Sequence, residues 1–234
     1  MLIVNKRNEA FKIFPYPCVG NWGFLNLSIL ESPVYSEVLE RIKNGEQYLD
    51  LGCCMGQDIR KLSHDGAPQE NMYGSDLKKQ FWDIGYDLFL DRSTLRTKFI
   101  EADIFDTDSG LKELDGRLNL VHAASFFHLF DWDDQVKAAK RVATLLKTEP
   151  GSMVFGRQGG LPVAGKLSHG FAGIHAYWHN PESWAKLWKQ VGDETGSEWE
   201  VKSAFGEEDL TKRMNAKNIV PDGTRFLTYT IRRL

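Results

Sequence analysis

The chain has 234 residues, long enough for one α/β domain with a substantial buried core. It is 42% hydrophobic and 26% charged, and a formal net charge of −3 excludes a broad basic footprint for nucleic acid. No apolar run approaches the roughly 20 residues of a membrane helix.

No secretory layout opens the chain. Three cysteines (Cys18, Cys53, Cys54) without a C-x-x-C pair supply neither a disulfide framework nor a zinc site. The expectation is a cytoplasmic protein that takes no metal, meets no membrane and binds no nucleic acid. Aromatic residues reach 12%, with 7 Trp and 14 Phe. They fill a core or line a pocket for a bulky apolar small molecule, and composition leaves both open.

Residues 1–31 mix Pro15, Pro17, Gly20 and Gly23 with Phe11, Phe14, Tyr16, Trp22 and Phe24. That mixture reads as an irregular arm or short helices in front of a domain spanning 32–234. Ser32-Pro33 predicts a helix start, with serine as N-cap and proline at the first helical position. Val34, Val38, Leu39 and Ile42 give that helix one apolar face, and Asn44-Gly45 stops it. Tyr48, Leu49 and Leu51 form a short buried strand carrying Asp50; Gly52 and Gly56 flank a tight turn, and a helical pattern runs from Gln57 to about His64.

Met72 to Ser75 predicts a second strand ending at Asp76, followed by an aromatic-rich helix from about Lys79 to Leu90. Thr97 to Ala102 is a third strand ending at Asp103, and Leu118 to Ala124 a fourth, interrupted by His122, which reads as a core residue. Asp131 caps a helix whose Val136, Ala139, Val142 and Leu146 recur at helical spacing; Pro150-Gly151 ends it, and Ser152 to Gly156 is a fifth strand. From Gln158 to Asn180 no periodicity appears and five glycines do, so this stretch reads as a binding loop or lid, or as a disordered insertion.

Asn180-Pro181 opens a last helix with Trp184, Leu187, Trp188 and Val191 on one face, and Trp199–Phe205 and Arg225–Ile231 are the final strands. Strands alternating with helices predict a Rossmann-like, doubly wound, mostly parallel sheet. The last two strands have no crossover helix between them and fit an antiparallel edge pair.

The organising stretch is Gln47 to Arg60, strand, glycine turn and helix, which brings backbone N–H groups up to a ligand. A dinucleotide turn needs G-x-G-x-x-G. Here Gly52, Cys54 and Gly56 give G-x-C-x-G instead. Asp50 and Asp76 end neighbouring strands, where a carboxylate accepts both hydroxyls of a ribose and suits a positively charged cofactor without phosphate. Asp103, followed by Ile104 and Phe105, can accept from an adenine amino group while its neighbours pack on the ring.

D-L-G-C-C-M-G, Y-G-S-D and A-D-I-F resemble the successive cofactor motifs of the class I S-adenosylmethionine-dependent methyltransferases. With D-G-A-P, A-A-S-F-F-H-L-F-D-W and G-R-Q added, residues 32 to 205 resemble the fungal methyltransferases that tailor meroterpenoids and related polyketides. The wider superfamily has glycine where Cys54 stands; the C-C doublet belongs to the branch. The resemblance implies the class I methyltransferase fold and S-adenosylmethionine as cofactor. Gly52 and Gly56 would shape the turn around its methionine part, with Asp50 and Gln57 at the amino or carboxylate end. Asp76 would take the ribose, with Leu77 packing nearby, Asp103 and Ile104 the adenine, and Ser125 would stand near the reactive methyl.

In-line transfer from a sulfonium requires an aligned acceptor and excluded water. A base is needed only when the acceptor carries a proton, as a phenol does and a carboxylate does not. The resembled branch includes enzymes for both. Arg157 is the candidate partner for a carboxylate, and His128, after the fourth strand, the candidate base for a hydroxyl. Trp22 and His179 are further acceptor candidates, with Trp178, His169 and His175 beside them; core or surface roles fit the same positions. The reading is an O-methyltransferase acting on a carboxyl or hydroxyl of a bulky apolar secondary metabolite. Its alternative is the same fold working without methyl transfer, as a cyclase, isomerase or binding protein. Oligomeric state and acceptor identity are outside the reach of these patterns.

Overall fold

The computed structural model of the chain describes residues 2–167, 175–213 and 221–234. Cα packing divides the chain into two units, Met1–Leu114 and Asp115–Leu234.

The first unit opens with helices α1 (Leu2–Ile13) and α2 (Pro17–Gly20) and two 3-10 turns, Gly23–Leu25 and Ser28–Glu31. The expectation from its prolines and glycines was an irregular arm or short helices; short helices are what form, and α1 is the longer because residues 2–13 contain no breaker. The arm is tied to the rest of its unit. Lys6 reaches Asp87 at 3.1 Å, and Ala10, Val19 and Phe24 share one buried cluster with Met55, Phe81 and Ile84.

Helix α3 (Tyr35–Lys43) starts later than Ser32-Pro33 predicts. Ser32 ends the preceding 3-10 turn, its N–H donating to Ile29 O at 3.1 Å, and Val34 rather than Ser32 stands at the N-cap of α3. The predicted stop holds: Gly45 has φ +94°, a conformation glycine adopts without steric cost.

Strands β1 (Tyr48–Leu51), β2 (Met72–Asp76) and β3 (Lys98–Glu101) pair in parallel, with Asp50 opposite Gly74 and Asp76 opposite Glu101. All four residues of β1 are buried, as an apolar run covered on both faces requires. Helices α4 (Gln57–His64) and α5 (Lys79–Phe89) are the crossovers. Trp82 of α5 is fully buried and stacks on Phe99 of β3 at 5.1 Å.

In the second unit β4 (Leu120–His122) runs parallel to β5 (Met153–Gly160). Strands β8 (Trp199–Phe205) and β9 (Arg225–Arg233) continue from β5 as antiparallel neighbours in the order β5-β9-β8. β5 extends past the predicted Gly156 because β9 pairs with it as far as Gly160 opposite Arg225. Asp131 caps α6 (Trp132–Leu145) by accepting the Asp134 N–H at 3.0 Å.

Asn180 opens α7 (Pro181–Thr195) with a reciprocal capping box: Ser183 N to Asn180 Oδ1 at 2.8 Å, Asn180 N to Ser183 Oγ at 3.1 Å. The aromatic face of α7 is core, with Trp184 at 4.9 Å from Tyr229 and Trp188 at 5.2 Å from Trp199. Within the glycine-rich stretch β6 (Gly165–Lys166) pairs with β7 (Tyr177–Trp178), two strands that its lack of periodicity did not announce. His169, Gly170 and Gly173 lie outside the described residues. The short helix α8 (Leu210–Arg213) follows β8.

The fold class is the one expected: Rossmann-like, doubly wound and mostly parallel, with β8 and β9 antiparallel. Among the described residues no helix is long and apolar enough to cross a membrane.

Candidate functional site

The end of β1 turns sharply because Gly52 N and Cys53 N both donate to Ser75 O, at 2.8 and 3.0 Å. Gly52 (φ +73°), Cys54 (φ +50°) and Gly56 (φ +70°) are all left-handed. At Gly56 a side chain is excluded twice over, since a Cβ would also lie 2.4 Å from the Trp82 ring. Cys54 is the residue that bears strain, since the left-handed region costs an L-residue about 1–2 kcal/mol. That conformation aims the Cys54 N–H at Asp76 Oδ2, 2.9 Å away. Helix α5 supports the turn from behind. Its Gly85 lies against Met55, where a Cβ would come 2.3 Å from the carbonyl oxygen.

Helix α4 starts directly at Gly56 with no side chain capping its first turn, so its N-terminal N–H groups are left for a ligand. Asp58 in that turn faces the arm, accepting from Ser28 Oγ at 2.5 Å and Ile29 N at 3.2 Å. Arg60, one turn on, is committed to Asp91 through two bonds of 2.6 and 3.0 Å.

Asp76 is oriented by backbone. Oδ2 takes the Cys54 N–H and Oδ1 the Lys78 N–H at 3.0 Å, leaving further lone pairs on both oxygens for a diol. Burial raises its pKa above the usual carboxylate range, against the lowering effect of those N–H groups. Leu77 beside it is 52% exposed, an apolar side chain with room to pack on a ligand. One strand over, Ala102 N donates to Asp76 O at 3.1 Å, which sets Asp103 next to Asp76; Asp103 is exposed, and its Oδ1 accepts Phe105 N at 2.9 Å. Ile104 is buried and Phe105 is 40% exposed.

The first unit therefore brings Gly52, Gly56 and Gln57 to the turn after β1 and Asp76 and Leu77 to the end of β2, with Asp103 and Ile104 in the loop that follows β3. Asp50 is buried within β1. The set fits S-adenosylmethionine on an observation of its own: among the described residues the buried Gln57 Oε1 has no hydrogen-bond partner, an acceptor suited to an ammonium group.

The arm supplies residues that sequence reasoning placed less well. Trp22 has φ +63° and lies under the Arg7 guanidinium at 4.7 Å, half-buried against the arm's core cluster. Tyr16, another arm aromatic, has Asp76, Cys18 and Cys54 as the ionisable groups around its hydroxyl, and burial pushes that hydroxyl up to about 12.

In the second unit the β4–β5 ladder continues beyond β4: Ala123 N donates to Phe155 O at 2.9 Å and Ser125 N to Arg157 O at 2.7 Å. Ser125 is left-handed at φ +53°. His128 sits on a 3-10 turn, Phe127–Leu129, where its Nδ1 accepts the Gly159 N–H at 3.0 Å. That bond leaves the ring proton on Nε2, and burial lowers the pKa of His128 to about 4. The ring is thus neutral and a donor, the opposite of the predicted base. Trp178 Nε1 donates to His128 O at 3.1 Å. Arg157 is buried with its guanidinium 4.2 Å above the Phe226 ring.

His179 does not belong with these residues. Expected at the substrate, it is fully buried: Nε2 lies 3.1 Å from Gln135 Oε1 and Nδ1 lies 2.9 Å from Ser183 Oγ. Gln135 holds that geometry because its amide nitrogen is bound to Phe130 O and Tyr177 O, at 2.9 and 2.7 Å. Burial lowers the pKa of His179 to about 3, so it is a neutral core residue. His175 is exposed. Gln158, adjacent to Arg157, is fully buried, and among the described residues neither of its amide atoms has a partner.

Comparison with known proteins bears on both units. Residues 49–149 match a methyltransferase domain family, and residues 2–25 match the meroterpenoid methyltransferase N-terminal domain. The chain is 44% identical to the O-methyltransferase phiE of a fungal species, over 97% of this chain and 80% of that one. It is 45% identical to the asnovolin E/chermesin D methyltransferase nvfJ of Aspergillus novofumigatus, over 83% and 70%. It is 42% identical to the methyltransferase ausD of Penicillium brasilianum, over 97% and 81%.

Among solved structures, an S-adenosylmethionine-dependent methyltransferase from Mesorhizobium loti aligns with TM-score 0.59 at 14% identity, covering 88% of this chain and all of that one. The 1,6-didemethyltoxoflavin-N1-methyltransferase of Burkholderia thailandensis, solved with S-adenosylhomocysteine, aligns with TM-score 0.59 at 15% identity, covering 92% and 82%. At these identities the structural likeness is one of fold.

Proposed function

This chain belongs to the fungal meroterpenoid methyltransferases, a branch of the class I S-adenosylmethionine-dependent enzymes, and from that premise we propose that it methylates a carboxyl oxygen of a bulky apolar secondary metabolite. The observation that carries the choice of a carboxyl is the state of His128. Its Nδ1 is taken by Gly159 and its pKa is lowered to about 4, so the ring donates rather than accepts. Such a site suits an acceptor that arrives already ionised, and a carboxylate is ionised at neutral pH. The name of phiE, an O-methyltransferase, agrees with transfer to oxygen.

In this reading the first unit holds the cofactor. Asp76 accepts the ribose hydroxyls, Leu77 packs nearby, and Asp103 and Ile104 receive the adenine. Gly52 and Gly56 keep side chains out of the turn, and Asp50 and Gln57 serve the amino-acid end. When bound, S-adenosylmethionine supplies a methyl on a sulfonium sulfur, which leaves neutral as the new oxygen–carbon bond forms. No proton has to move. The second unit's residues serve the acceptor: Arg157 contributes positive charge that favours an anion, His128 donates from Nε2, and Ser125 stands at the strand end. Trp22 offers an apolar face. Catalysis is then alignment and exclusion of water rather than acid–base work.

The test is product chemistry. Extracts of a host carrying the protein, compared with the same host lacking it, should contain a metabolite heavier by one methylene that appears only in the first. Mild alkaline hydrolysis should return that product to the unmethylated mass, because an ester cleaves and an aryl ether does not. A product that survives alkali would replace the carboxyl with a hydroxyl acceptor. Unchanged masses, with cofactor bound but not consumed, would remove methyl transfer altogether.

A further inference from the structure

Tyr16 lies between Pro15 and Pro17, and this framing removes its backbone freedom. A residue before proline is confined to extended conformations, and Tyr16 adopts φ −56°, ψ 135°. Pro17 opens α2 at the position where a missing N–H costs nothing. The remaining backbone groups are used as well: Tyr16 N donates to Phe14 O at 2.8 Å, and Tyr16 O accepts Gly20 N at 3.0 Å.

The ring is fixed too. It lies 4.4 Å from Phe14 and 6.0 Å from Phe81, in the cluster that contains Met55 and is packed by Cys54. A tyrosine held this rigidly beside the glycine turn needs no tyrosine oxygen for packing, since phenylalanine would fill the same space. Yet Asp76 and Cys54, bonded to each other at 2.9 Å, are among the ionisable groups whose charge bears on its hydroxyl, and no described residue takes its proton.

Charge decides what does. The one anionic group of S-adenosylmethionine is its carboxylate. The first turn of α4 offers that group N–H donors but no free cation, because Arg60 is committed to Asp91 at 2.6 Å. A neutral O–H donor supplies the missing bond, and Asp76, an acceptor, remains for the ribose. Resting on the cofactor assignment above, we propose that Tyr16 is a cofactor-binding residue contributed by the arm, its hydroxyl donating a hydrogen bond to the methionine carboxylate. The arm is then part of the cofactor site rather than a cover over it.

Calorimetric titration of wild type and Tyr16→Phe with two ligands tests this. S-adenosylhomocysteine has the carboxylate; 5′-methylthioadenosine lacks the whole amino-acid end. A hydrogen bond to a charged group corresponds to about tenfold or more in affinity. Tyr16→Phe should therefore weaken S-adenosylhomocysteine about tenfold and leave 5′-methylthioadenosine unchanged, with an unaltered melting temperature for the free protein. Equal affinity of both proteins for S-adenosylhomocysteine would overturn the proposal, and so would an equal loss for both ligands, which would place the hydroxyl at the adenosine. Wild-type protein that binds neither ligand would overturn the cofactor assignment itself, a result distinct from either.

Discussion

The glycine turn of the first unit and the loops after β4 and β5 in the second use polar groups in opposite ways. In the turn, backbone N–H groups orient a side chain and leave it unfinished: Asp76 is held by Cys54 and Lys78 with lone pairs remaining, and among the described residues Gln57 Oε1 has no partner. In the second unit the protein itself consumes the polar groups. His179 is closed between Gln135 and Ser183, and His128 has given Nδ1 to Gly159. A cofactor of fixed chemistry is met by a preset arrangement. On the proposed reading an apolar acceptor is met by shape, with His179 in the core and His128 a donor rather than a base.

The largest effect expected from this contrast falls on Asp76. Asp76→Asn removes the charge and half the acceptor capacity facing a diol, and two such bonds correspond to a loss of about 100-fold or more in affinity. Calorimetry with S-adenosylhomocysteine should show it, with a near-unchanged circular dichroism spectrum. Affinity within threefold of wild type would erase the distinction between the units.

Next is His179. His179→Ala leaves Gln135 and Ser183 short of a partner and opens a cavity, a cost of roughly 3 kcal/mol. For a chain of this size that lowers the melting temperature by roughly 6–12 °C, while cofactor affinity stays as it was. An unchanged melting temperature with altered turnover would return His179 to the acceptor.

A smaller effect concerns pH. The folded-state pKa values of His128 and His179 are lowered to about 4 and about 3 from an ordinary 6.5, with burial the main cause. A histidine with a depressed folded pKa contributes stability that is whole above its unfolded pKa and lost as pH falls through the window, because the unfolded chain binds the proton first. The melting temperature should therefore fall as pH drops from about 6.5 towards about 3. His128→Gln, whose side-chain oxygen can still accept Gly159 N–H, should flatten that fall in part. Turnover should show no histidine inflection near pH 6.5; a clear one removed by His128→Gln would make His128 the base after all.

The smallest effect belongs to Cys54. Cys54→Gly relieves the left-handed strain of about 1–2 kcal/mol, partly offset by the extra freedom glycine has when unfolded. The melting temperature should rise by roughly 2 °C with cofactor affinity unchanged. A drop would mean that the thiol's packing outweighs the strain.

What was legible in the sequence follows the same line. Gly56 was readable because its φ of +70° and the adjacent Trp82 ring admit no side chain, and a turn with such demands leaves a mark in the chain. Asp131 and Asn180 were readable because a cap acts within three residues. His179 was misplaced because its partner Gln135 lies 44 residues away, and a glycine-rich neighbourhood conceals a core position. Tyr16 was missed for the same reason, its surroundings at Cys54 and Asp76 being distant in the chain. Helix α1 was legible only as one of two alternatives, an irregular arm or short helices, because the breakers just beyond it dominate the local pattern.

The core that the arm shares with Met55, Phe81 and Ile84 has a consequence for how such enzymes can be recombined. Ala10, Val19 and Phe24 are one side of a set of interlocking side chains whose other side comes from the glycine turn and α5. An arm transplanted from a relative would arrive with half of that set and meet a foreign remainder. The exchangeable cassette is therefore the arm together with the turn and α5, and shuffling that cuts between them should give chimeras that fail before specificity can be asked about.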